Sequence, residues 1–146
     1  MKELRRRRRA SRGFTLIEIM VVVVIIGLLA TLVLPRVLGR GEEAKRTATA
    51  VQIQAIGQAL DLYHLDNGFY PTSDQGMEAL VKKPSSPPEP LNYRDGGYLK
   101  KLPLDPWGRP YLYRNPGDHG EYDLLSVGPD GQEGGEGKGK DITSWE

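Results

Sequence analysis

No cysteine occurs in the 146 residues, so no disulfide can staple the fold and no thiol is available as a nucleophile. Histidine is nearly as scarce, with only His64 and His119 present. His64 falls on a helical stretch and His119 in a glycine-flanked turn. Neither stands in a recognisable triad order, which weighs against an enzyme. Ser126 has no nucleophile-elbow context, because Gly128 is followed by Pro129. The body also lacks an excess of positive charge. Residues 14–146 hold 13 basic and 18 acidic side chains, a poor surface for nucleic acid.

The positive charge is concentrated at the start, where residues 1–13 carry seven basic side chains and one acid. An apolar run of 21 residues, Phe14 to Leu34, comes directly after. As a helix it spans roughly 31 Å, about the thickness of a bilayer's hydrocarbon core. Basic residues ahead of such a segment hold that end in the cytoplasm and send the remainder outward. An ordinary secretory signal has a shorter apolar region closed by small residues, whereas Leu28-Leu29-Ala30 here puts Leu where a small residue is needed. A plain signal anchor explains the length of the run. It does not explain Glu18, a lone carboxylate inside it, which costs up to about 3 kcal/mol in hydrocarbon unless a partner meets it.

Gly13-Phe14-Thr15-Leu16-Ile17-Glu18 resembles the class III signal of type IV pilins and pseudopilins. The resemblance implies that prepilin peptidase cuts between Gly13 and Phe14, and that the new Phe14 amine is N-methylated. It also implies that Glu18 pairs with the Phe14 amine of a neighbouring subunit during assembly. Elementary electrostatics agrees, since a cationic terminus and a carboxylate that meet in apolar surroundings each escape the cost of standing there alone.

Pro35, Gly39 and Gly41 close the apolar run and predict a weak or bent point in the helix, read equally as a plain break or a hinge. Helical patterning resumes at Glu42. Ala44, Ala48, Val51, Ala55 and Leu62 form one stripe, with Ile56, Leu60 and Tyr63 beside it, and the second half is expected to pack on a core. Asp66-Asn67-Gly68 ends this helix. Thr72 and Gln75 fit a capping box for a short helix that buries Met77, Leu80 and Val81. A proline-rich loop, Lys82 to Pro90, comes next, then a packed segment at Tyr98, Leu99, Leu102 and Leu104. Asp105-Pro106-Trp107-Gly108 reads as a turn with Trp107 in the core. Tyr111 to Tyr113 and Tyr122 to Val127 read as an antiparallel hairpin laid against the long helix.

Tyr63 to Pro71, Gln75-Gly76, Gly96-Gly97-Tyr98, Leu102-Pro103, Asp105-Pro106-Trp107-Gly108 and Asp141-Ile142-Thr143-Ser144-Trp145 together resemble the G-type major pseudopilins of type II secretion, over nearly the whole chain after residue 13. That resemblance implies an α+β, pilin-like fold. In it a long N-terminal α-helix with a membrane-spanning first half packs on a small antiparallel β-sheet, and a C-terminal loop binds metal. The expected divisions are residues 1–13 as a cleaved leader, 14–35 as the transmembrane or fibre-core helix, and 36–146 as a periplasmic domain. The implied role is structural: a helical homopolymer, the pseudopilus, that drives folded proteins across the outer membrane. Its implied partners are further copies of itself, minor pseudopilins, the inner-membrane secretion platform and the prepilin peptidase that also methylates. The alternatives are a type IV pilin, disfavoured by the missing cysteines and basic surface, and a signal-anchored periplasmic binding module.

The tail from Gly128 to Asp141 is too polar and glycine-rich to order itself by apolar burial. Gly134 to Lys140 fits a phosphate-loop spacing, but Asp141 stands where a magnesium-binding hydroxyl is needed and too little chain remains for the helix. Calcium is the second reading, since Asp130 and Asp141 bracket a loop whose glycines let carbonyls turn inward. A solvated acidic tail is the third, and Trp145 argues against it. The G-type resemblance favours calcium, with side-chain oxygens from Asp130 and Asp141, carbonyls from Val127 and Gln132, and Ser126 as a further ligand. Lys140, where relatives carry a second acid, leaves the ligand set open.

Overall fold

Thr15 and Glu18 open the first helix as a reciprocal pair. The Glu18 backbone N–H donates to Thr15 Oγ1 at 3.2 Å, and the Thr15 N–H donates to Glu18 Oε2 at 3.4 Å. This is a capping box, and it satisfies donors that the first turn of a helix otherwise leaves unpaired. The helix it opens, α1, runs Leu16–Asn67 over 52 residues. This computed structural model describes residues 13–146, excepting the side chains of residues 32–39. The basic residues up to Arg12 lie outside the described residues, as does the side chain of Pro35, but α1 runs unbroken past Pro35, Gly39 and Gly41, where a break is one of the two readings. No helix among the described residues is long and apolar enough to cross a membrane. The apolar run extends to residues 32–34, beyond the described side chains.

Gly41–Glu146 forms one compact unit, and the described residues before it belong to another. In the first unit the apolar side chains from Phe14 to Leu29 are exposed, Phe14 at 79%. In the second unit, α1 supplies one wall of the core through Ile53, Ile56, Ala59, Leu60 and Tyr63. The second half of the helix thus packs on the core as expected, through Ile56, Leu60 and Tyr63, while the neighbouring stripe stays outside. Val51 is 60% exposed, Leu62 is 39% exposed, and Ala44, Ala48 and Ala55 are exposed too. The physical reason is size. The adjacent row carries the larger side chains, and burying it removes more apolar area from water than burying alanines does. Gly68, at φ +82°, ends α1, and its N–H returns to the His64 carbonyl at 2.7 Å.

Thr72 and Gln75 do form the expected box, with two bonds of 3.1 Å. The box leads into a single 3-10 turn, Met77–Leu80, with Val81 outside it and half-buried. The Gln75 side-chain amide reaches the proline loop, donating to the carbonyls of Ser86 and Pro88 at 2.8 and 3.0 Å. Two strands match the hairpin, β1 (Leu112–Arg114) and β2 (Asp123–Ser126). A third, β3 (Ile142–Thr143), pairs with the far edge of β2, giving an antiparallel sheet ordered β1-β2-β3. Four successive buried residues in β2 replace the expected alternation, because a central strand covered on both faces has no wet side.

Tyr111, Leu124 and Ile142 from the sheet region meet the α1 row, and the 3-10 turn adds Met77, Ala79 and Leu80. Tyr63 is fully buried and meets Phe69 and Tyr93 edge-on, at centroid separations of 5.9 and 6.3 Å. Its burial, reinforced by Tyr98 and Tyr93, pushes the phenol up to about 12. Trp107 is not a core residue. It is half-buried at the core's edge, with Nε1–H donating to Glu42 at 3.1 Å and the Lys45 ammonium 5.8 Å above its ring.

The choice between helix faces is measurable. Leu60→Ala is expected to cost about 2–5 kcal/mol and Leu62→Ala less than about 1 kcal/mol in denaturant unfolding of the detergent-solubilised chain. Equal losses would mean that the Leu60 row is not the one facing the core.

Candidate functional site

At the N-terminus, Gly13, Phe14 and Glu18 are all exposed, and the Gly13–Phe14 bond lies ahead of the first helical turn. The Thr15–Glu18 box lies wholly downstream of that bond and uses no residue before it. The Thr-x-x-Glu spacing carries this signal in the sequence. Glu18 therefore has a local partner even in a single chain.

The tail is organised from Asp105. This buried carboxylate accepts the backbone N–H groups of Trp107 and Arg109 on Oδ1, at 3.0 and 2.8 Å. Its Oδ2 accepts the Ser126 hydroxyl at 2.7 Å. Asp105 thus shapes the turn that projects Arg109 and ties that turn to β2. Ser126 Oγ in turn accepts the Gly128 N–H at 3.2 Å, so its hydroxyl is committed to Asp105 and Gly128.

Asp130 and Asp141 come onto one glycine segment. Asp130 Oδ1 accepts the Gln132 N–H at 3.2 Å. Asp130 Oδ2 lies so near Gly139 that a Cβ there would stand 2.7 Å away, and one on Gly135 would stand 3.3 Å away. Gly135 has φ +90°, a second reason for glycine at that position. Asp141 Oδ2 accepts the Gly134 N–H at 2.9 Å, while its Oδ1 is buried without a hydrogen-bond partner. Val127 is buried directly after β2, and Gln132 lies exposed two residues beyond Asp130.

Among the described residues there is no cluster of three or more His, Cys, Asp or Glu side chains that could hold a metal. A cation here would take two carboxylates and draw the rest of its oxygens from backbone. The orphaned buried Oδ1 of Asp141, and the Asp130 Oδ2 set against Gly135 and Gly139, fit a hard, oxygen-seeking ion. A soft metal finds no thiol or imidazole in this loop.

Sequence patterns do not single out Arg46, Asp105 or Arg109 as functional side chains. Asp105 carries a signal all the same, since an Asp opening a Pro-containing turn accepts backbone N–H groups just downstream. Arg46 carries none, as its partners lie more than 90 residues away. Trp145 docks as expected, stacked on His119 at 4.0 Å and 3° between planes. His119 Nδ1 meets Asp123 Oδ2 at 3.0 Å.

A long helix packed on a small antiparallel sheet, entered through an exposed apolar segment with a single carboxylate, defines a pilin-like subunit. In agreement, the prokaryotic N-terminal methylation motif matches residues 8–34, and the model for type II secretion system (T2SS), protein G, matches residues 36–145. The chain belongs to the type II secretion system protein G family, whose members are structural subunits and not enzymes. It is 57% identical over 137 residues to the type II secretion system core protein G of Vibrio cholerae, covering 94% of this chain and 93% of that one. The Pseudomonas aeruginosa core protein G is 57% identical over 139 residues, covering 95% and 98%. Among solved structures, the major pseudopilin from the type 2 secretion system of enterohaemorrhagic Escherichia coli superposes with a TM-score of 0.68 at 44% identity, covering 74% of this chain and 88% of that one.

Asp123 gives the domain a calculable acid response. Burial would raise its carboxyl, but the His119 ring and the backbone N–H groups of Asp118 and His119 outweigh that and hold it below the usual range. A native pKa below the unfolded value of about 3.9 contributes stability that is complete above roughly pH 5 and fades as pH falls through the native value. The expected result is a melting temperature that drops more steeply between about pH 5 and pH 3 in the wild type than in Asp123→Asn, read by calorimetry.

Proposed function

We propose that this chain is the major pseudopilin of a type II secretion system, the repeating subunit of a periplasmic fibre whose growth pushes folded proteins through the outer membrane. The observation that carries this reading is the uncovered apolar face from Phe14 to Leu29. A surface of that extent needs lipid or neighbouring helices around it. Before assembly the segment Phe14 to Leu34 lies in the inner membrane, with the basic leader cytoplasmic and the domain from residue 36 in the periplasm. Prepilin peptidase removes the leader between Gly13 and Phe14 and methylates the Phe14 amine. The chain then joins copies of itself, with minor pseudopilins and the inner-membrane platform as its other partners.

Glu18 is the assembly residue in this reading. In the isolated chain its carboxylate caps its own helix. In the fibre it meets the Phe14 amine of a neighbour, an ion pair that sets axial register because any other alignment leaves both charges in apolar surroundings. Glu18→Ala is expected to leave cleavage and membrane insertion intact and to abolish most fibre formation, read by shearing and sedimentation. Full fibre yield from that variant would remove Glu18 from the mechanism.

The tail takes calcium as a structural ion in the same proposal. Asp130 and Asp141 supply side-chain oxygens, Val127 and Gln132 supply carbonyls, and Ser126, whose hydroxyl is held by Asp105 and Gly128, is a further ligand through its carbonyl. Bound there, calcium neutralises the two carboxylates and cross-links a tail that has no disulfide. A ligand that binds only the native state raises stability by about 2.7 kcal/mol at a hundredfold excess over its dissociation constant. Melting of the chain is therefore expected several degrees higher in calcium than in chelator, and identical midpoints would refute the site.

A further inference from the structure

Two arginines grip the glycine-rich tail at its two ends. Arg109 Nη1 donates to the Gly128 carbonyl, and Nη2 donates to the Pro129 carbonyl at 3.4 Å. Its guanidinium also fills the space beside Gly131, where a Cβ would stand 2.8 Å from Cζ. Arg46 Nη1 donates to the Lys140 carbonyl at 2.7 Å and reaches the Lys138 carbonyl at 3.5 Å. The gripped residues Pro129 and Lys140 immediately precede Asp130 and Asp141, the two carboxylates of the proposed cation site. Midway along the tail, Arg114 pairs with Glu133 at 2.6 Å, and Lys140 turns its own ammonium away to Glu146 at 2.7 Å.

The geometry points to Arg109 and Arg46 as positioning residues that hold both ends of the tail on the domain and bring Asp130 and Asp141 onto one loop before any cation arrives. A glycine-rich segment loses more conformational freedom on ordering than any other, so an unheld tail would spend much of its binding energy on closure. A guanidinium suits this task because its planar fork reaches two adjacent carbonyls at once, which a lysine ammonium cannot reproduce. Positive charge near a dication also repels it, so preorganisation and Coulomb repulsion predict opposite signs when the arginine is removed.

The consequence for cation affinity rests on the calcium reading; the consequence for tail order does not. The test uses the full chain in detergent, as wild type, Arg109→Met, Arg109→Lys and Arg46→Met. Hydrogen exchange in chelator is monitored for peptides covering residues 128–141 and 53–63, and calcium binding by titration calorimetry. Losing one or two hydrogen bonds to a charged donor is expected to speed exchange of the tail peptide by roughly tenfold while leaving the helix peptide unchanged. Calcium affinity is expected to fall by a similar factor in Arg109→Met and nearly as far in Arg109→Lys. Unaltered tail exchange in the variants, or calcium bound as tightly or more tightly by Arg109→Met, would overturn the positioning role. Should the wild type bind no calcium while its tail still depends on the arginines, the positioning role stands and the calcium site falls.

Discussion

The long helix carries more apolar surface than the core it lines can take up. Between Ile53 and Tyr63 a small sheet, a 3-10 turn and a ring of tyrosines enclose one row of side chains completely. Leu62 and Leu65 on the same helix stay outside, Leu65 at 76% exposure, and toward the N-terminus the apolar side chains from Phe14 to Leu29 are exposed as well. Folding of the domain and association of the subunit are thus two uses of the same helix. The apolar area left over by the first is the driving force for the second.

Without disulfides, the domain secures its loops with buried polar groups, each of which needs partners. Asp105 takes three donors, and Asp123 takes the backbone N–H groups of Asp118 and His119 together with the His119 ring. Such groups add little net energy when paired and cost much when stripped, so they specify a single arrangement more than they deepen it. Ser126 illustrates this. Its hydroxyl joins Asp105 to Gly128, and so sets where β2 stops and the tail begins. The tail in turn is held by arginines whose cations meet carbonyls, and its two carboxylates stay on the loop.

Much of this is legible in residue patterns. The Gly13–Phe14 junction with Glu18, the helix stop at Asn67-Gly68, the Thr72–Gln75 box and the two hairpin strands all rest on local chemistry within a few residues. The departures share a cause. Two apolar rows lie side by side on α1, and periodicity cannot tell which of two adjacent rows meets a sheet. Hydrophobicity alone places Trp107 in the core, yet its indole N–H finds Glu42 at the rim. The strand β3 is two residues long, too short to show alternation, and exists because β2 has a free edge.

The sequence by itself determined the class of molecule: a basic N-terminal stretch, an apolar helix with one acid, an acidic cysteine-free domain and a glycine-rich tail. Those properties depend on composition and on spacing within a few residues, which chain order records directly. Only the tertiary structure decided which face of the helix is buried and that Trp107 stops at the rim of the core beside Glu42. It also decided that Arg46, more than 90 residues distant, closes the tail. Each of those choices is a competition among contacts, settled by the area and hydrogen bonds available once the chain has folded.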